Sequence, residues 1–76
     1  SISGSASEAD LRSELADYQK SYQLEGYTLL ARANLGLKNN KAALEAVNNA
    51  LKVDPTSPDL KDLKMKIQDA IITQSS

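Results

Sequence analysis

Both prolines of this 76-residue chain stand three positions apart, in the run Asp54-Pro55-Thr56-Ser57-Pro58. Proline fixes φ, removes a backbone donor and drives the residue before it out of helical geometry. The run therefore ends one helix. It lets the next begin at Pro58, where a missing N–H has no intrahelical partner in any case. Upstream of Asp54 there is no proline, few residues are β-branched and no stretch alternates strictly, so the expectation is helix rather than strand.

The spacing predicts a last helix over residues 58–72. Ser57 can cap it, and Asp59 complements the positive end of its dipole. Leu60, Leu63, Ile67, Ala70 and Ile71 form its apolar stripe, with Asp62 and Lys66 placed to pair on the wet side. A middle helix is predicted over residues 41–53, with Ala43, Leu44, Val47, Ala50 and Leu51 on one face. Asn39-Asn40 separates it from what comes before; either Asn suits a left-handed helix end, and Asn40 can also cap.

Residues 8–38 admit two readings, a single long or kinked helix or two helices broken near residues 20–24. No strong breaker stands there, so one helix is preferred. Leu11, Leu15, Tyr18 and Tyr22 are spaced four, three and four apart, as in a heptad seam. The line continues through Gly26, Leu29, Ala33 and Leu37, with Gly26 its weak point. The expected core joins Leu29, Leu30, Ala33 and Leu37 to the apolar faces of the two later helices. Residues 1–7 read as a flexible arm, 8–72 as the helical domain and 73–76 as a frayed tail.

Composition narrows the function. Cys, His and Trp are absent, so no Cys-based zinc site, Ser-His-Asp set or Cys-His set can form. Gly4, Gly26 and Gly36 are isolated and build no phosphate loop. Net charge is −1, without the basic excess that nucleic acid or an anionic membrane requires. No apolar run approaches the roughly 20 residues that span a bilayer. The expectation is a non-enzyme with no cofactor, no metal, no nucleic-acid partner and no membrane span, placed in the cytoplasm.

From Leu24 to Pro55 the chain resembles one unit of the tetratricopeptide-repeat family. Tyr27 stands at that family's first-helix aromatic, followed by Leu30 and Ala31. Ala43 and Ala50 occupy the two small positions of the second helix, and Asp54-Pro55 closes the unit. Asn34, Asn40 and Val47 depart from positions where the family favours aromatics, and Lys38 stands in place of the turn glycine. Residues before Leu24 match a preceding repeat only through Ala9 and Ala16.

The resemblance implies an all-α helical hairpin with flanking helices, three or four in total, that binds protein or peptide. It implies a groove lined by Glu25, Thr28, Arg32, Leu35 and Gly36, with Asp59, Asp62 and Lys66 from the closing helix. Of the carboxylate-clamp positions known in some family members only Arg32 could serve an anion, so no such clamp is expected. A single repeat rarely buries its own faces, which makes self-association or a place in a larger scaffold the expected mode, with Leu11, Leu15, Tyr18 and Tyr22 as the seam. The rival expectations are a purely structural, coiled-coil-like oligomer without a ligand groove, and a segment of a longer repeat array.

Overall fold

The computed structural model describes residues 7–75, which form three helices and no strand: α1 (Glu8–Gly36), α2 (Asn40–Val53) and α3 (Pro58–Ser75). The fold is all-α. The long first helix is unbroken, so the alternative break near residues 20–24 does not occur. Ser7 is not part of an arm but the N-cap of α1: its Oγ accepts a hydrogen bond from the Asp10 N–H at 3.2 Å, satisfying one of the four orphan donors of the first turn. The rest of the expected arm, residues 1–6, lies outside the described residues, as does Ser76. At the other end α3 runs three residues past the expected stop, through Thr73 and Gln74 to Ser75.

The turn from α1 to α2 follows from backbone chemistry. The Lys38 N–H donates to the Leu35 carbonyl at 3.1 Å and the Asn39 N–H to the Asn34 carbonyl at 2.8 Å. These two bonds are the pair that defines a Schellman helix end. The motif needs a left-handed residue, and Lys38 supplies it with φ 65°. Neither Asn39 nor Asn40 takes that role, contrary to expectation: Asn39 is the N-cap of α2 with φ −84°, and its side chain makes no capping bond. Asn40 does not cap either. It is the first residue of α2 and is buried, and its Nδ2 donates to Gln74 Oε1 at 2.8 Å, tying the start of α2 to the end of α3. The second breaker behaves as expected: Ser57 Oγ accepts from the Leu60 N–H at 3.3 Å, and α3 opens at Pro58.

α2 packs against both of its neighbours, whereas α1 and α3 scarcely touch. The buried apolar residues are Ala31 from α1, Ala43, Ala46, Val47 and Ala50 from α2, and Leu60, Leu63 and Ile67 from α3. Half of them are alanines. Small side chains let two helix backbones approach closely, and Ala31 meets the Ala43 and Ala50 face for that reason. Leu24, Tyr27, Leu35, Leu44, Leu51 and Ile71 close over this centre, half-buried.

The expected α1 face is the wrong one. Leu29, Leu30, Ala33 and Leu37 are all exposed, and Leu24, Tyr27, Ala31 and Leu35 take their place. The faces expected of α2 and α3 do pack inward, with Ala46 an addition. The pair expected between Asp62 and Lys66 is not made; the one ion pair among the described residues joins Arg12 to Glu8.

Only the C-terminal part of α1 belongs to the packed body. Every residue from 8 to 23 is exposed. A radius of gyration of 17.0 Å expresses this, against roughly 11 Å for a compact domain of this length.

Lys38 gives a direct test. A side chain at φ 65° costs the folded state about 1–2 kcal/mol, and glycine removes that strain while adding freedom to the unfolded chain. Lys38→Gly is therefore expected to stabilise by about 0.5–1 kcal/mol, read from urea unfolding.

Candidate functional site

A groove of about 580 Å³ lies between the C-terminal half of α1 and the first half of α3, lined by Arg32, Leu35, Gly36, Asp59, Asp62, Leu63 and Lys66. It exists because α2 holds both helices while they hardly touch each other. Leu63 forms the apolar floor, and Arg32, Asp59, Asp62 and Lys66 stand exposed around it. None of these four charges is engaged in an ion pair among the described residues, so two cationic and two anionic groups face outward together. A second hollow of about 370 Å³ adjoins it, lined by Leu24, Glu25, Thr28, Leu29 and Arg32.

The structure thus brings together the residues expected of the groove, in two adjoining parts that share Arg32. Thr28 is the least available of them, because its Oγ1 donates back to the Leu24 carbonyl at 2.7 Å and holds the hydroxyl against the helix. Leu63 belongs to the site although its spacing marked it only as core. Its place follows from standing one residue after Asp62 on the side of α3 that turns toward α1, a relation that needs the helix packing to be known.

The other expected set, Leu11, Leu15, Tyr18 and Tyr22, lies along the unpacked part of α1, and each of the four exposes more than half of its surface. The same line runs on over the packed half: Leu29 is 65% exposed and Leu37 72% exposed. At about 100° per residue this line lies roughly 180° from Leu24, Tyr27, Ala31 and Leu35. α1 therefore carries two apolar faces, one against α2 and one turned to solvent.

A third hollow, of about 580 Å³, lies where the start of α2 meets the end of α3, and Asn40 lines it. The Oδ1 of Asn40 is buried and has no hydrogen-bond partner among the described residues. Among the described residues no cluster of three or more His, Cys, Asp or Glu could hold a metal ion. No helix there is long and apolar enough to cross a membrane.

Comparison with protein-family models, with curated proteins and with solved structures finds no match. The architecture itself defines the class: an all-α chain whose longest helix is half packed and half bare.

The buried core and the bare face of α1 predict opposite mutational behaviour. Leu63→Ala, at a buried position under the groove, is expected to cost about 2–5 kcal/mol. Leu29→Ala, on the bare face, should change folding stability by no more than about 0.5 kcal/mol when unfolding is followed at the lowest usable protein concentration.

Proposed function

We propose that this chain is a protein–protein interaction module of tetratricopeptide-repeat type, serving in a scaffold and binding a mixed-charge protein segment in the groove between α1 and α3. The observation that carries this is the groove itself. Two helices held apart by a third leave a concave face with an apolar floor at Leu63 and unpaired charges of both signs at its rim. Such a face can take an apolar side chain between its walls while its rim selects partners by charge. Rim charges act mainly on selectivity and encounter rate, so the partner is expected to carry charges of both signs.

The residues of the resemblance support the same reading. Ala43 and Ala50 are fully buried at the clasp, and the closing Asp-Pro stands at the end of α2. Where the family favours aromatics, Val47 and Asn40 are buried all the same, so these positions keep their place in the core with smaller side chains. A binding role rather than a catalytic one belongs to this reading, as does a cytoplasmic setting, which suits a chain without cysteine. The exposed line on α1 supports a second reading, an oligomerisation helix whose groove is idle.

An array of mixed-charge peptides probed with the purified protein separates the two. Peptides that bind the groove should lose about tenfold in affinity, or about 1.4 kcal/mol, on Asp62→Lys or Lys66→Glu. Both residues are exposed and unpaired, so neither change should alter the unfolding midpoint. Binding that ignores both reversals would remove the groove from the account.

A further inference from the structure

The apolar line on the back of α1 has a period that accounts for its length. Leu11, Tyr22 and Ala33 are eleven residues apart, as are Leu15, Gly26 and Leu37, and Tyr18 and Leu29. Eleven residues in three turns give about 3.67 per turn, close to the natural pitch, so the line stays on one side of the helix instead of winding around it. All eight of these residues are exposed.

We propose that this line is the interface of an antiparallel homodimer, in which residue 24 of one copy lies against residue 24 of the other. Four observations carry it. The first is length. Leu24 is the first α1 residue that packs on the body, and the bare segment 8–23 is about as long as the packed remainder of the helix. A two-fold axis at residue 24 lays residues 12–23 of each copy along the exposed back of residues 25–36 of the other, opposite α2.

The second is side-chain size. Both tyrosines of the line stand in its first half, and its glycine and its alanine in its second. In this register Tyr22 meets Gly26 of the second copy, Leu15 meets Ala33, Leu11 meets Leu37, and Tyr18 comes level, to within one residue, with Leu29. Gly26 supports it independently. Glycine weakens a helix interior, and a Cβ built at Gly26 would meet nothing within 4 Å in its own chain. The fold alone does not require a glycine there, whereas the facing Tyr22 does.

The third is area. Leu11, Leu15, Tyr18, Tyr22, Leu29 and Leu37 each expose more than half of their surface. Together they offer roughly 700 Å² of apolar side chain per copy, so two copies cover an area within the standard size of a stable interface. The fourth is charge. Equivalent flanks of the two helices face each other across the axis, which sets Glu14 beside Arg32 of the second copy, once on each side. Neither residue has an ion-pair partner among the described residues of its own chain.

The dimer rests on the bare face of α1, shares only Arg32 with the groove reading, and its test uses neither Asp62 nor Lys66. The chain has no cysteine, so one introduced by Arg12→Cys carries a single spin label per copy. Residue 12 faces residue 36 in the proposed register, which separates the two labels by about 36 Å along the helix axis at 1.5 Å per residue. A parallel pair would hold them within about 15 Å.

Light scattering over a concentration series gives the mass. The expected result is a dimer with labels at about 36 Å or slightly more, weakened at least tenfold by Leu15→Ala and by Tyr22→Ala. Gly26→Ala supplies a variant that cannot fail merely by unfolding. It should raise the unfolding temperature at low concentration by a few degrees and weaken the dimer, two effects of opposite sign. A strict monomer at the highest concentration, labels within about 15 Å, or a dimer indifferent to Leu15 and Tyr22 would each overturn the proposal.

Discussion

The close approach of α1 and α2 at alanine governs the rest of the structure. Ala31, Ala43 and Ala50 are fully buried, and Ala46 nearly so. A larger side chain at any of them would force the helices apart or off their rotamers. That contact fixes which way α1 is rotated, and the rotation decides everything on its other sides. It turns Arg32 and Leu35 toward α3 to make one wall of the groove, and it turns Leu29 and Leu37 away from the body altogether. The same alanines give little stabilisation in return, since a buried methyl contributes far less than the roughly 1.5–3 kcal/mol of a buried Leu or Ile. Val47, Leu60, Leu63 and Ile67 are the larger side chains of the buried core.

This balance explains what was legible in the sequence. α2 and α3 could be read closely because each has one apolar stripe, a polar remainder and a chemical boundary. Pro58 and Ser57 mark one start, and the residue before Pro55 marks one end. α1 could be read as a helix but not oriented, because both of its faces are apolar. Reading by side-chain size favours the line of leucines and tyrosines. Packing favours the face with Ala31, since only there can backbone meet backbone. The groove was legible for a related reason: its charged rim follows from helix spacing alone, while Leu63 enters only once the angle between α1 and α3 is known. Lys38 was hidden because asparagine tolerates the left-handed region better, and two asparagines stood next to it. The Schellman bonds fall one residue earlier, and the position in the motif outweighs the preference of the side chain.

In the dimer proposed above, folding and association fall to different sides of one helix. A bare helical segment of 16 residues gains nothing from the core, and helices near that length are marginal in water on their own. Its cap at Ser7 and the Glu8–Arg12 pair hold the first turn but contribute only modestly, because both are exposed. Whatever covers the segment therefore stabilises it by mass action. Order in residues 8–23 should track occupancy of the bare face, while order in α2 and α3 should not. In the proposed dimer a substitution on the alanine face acts on the folded fraction, and one on the leucine–tyrosine face acts on the assembled fraction. The two can be varied independently because they lie on opposite sides of α1.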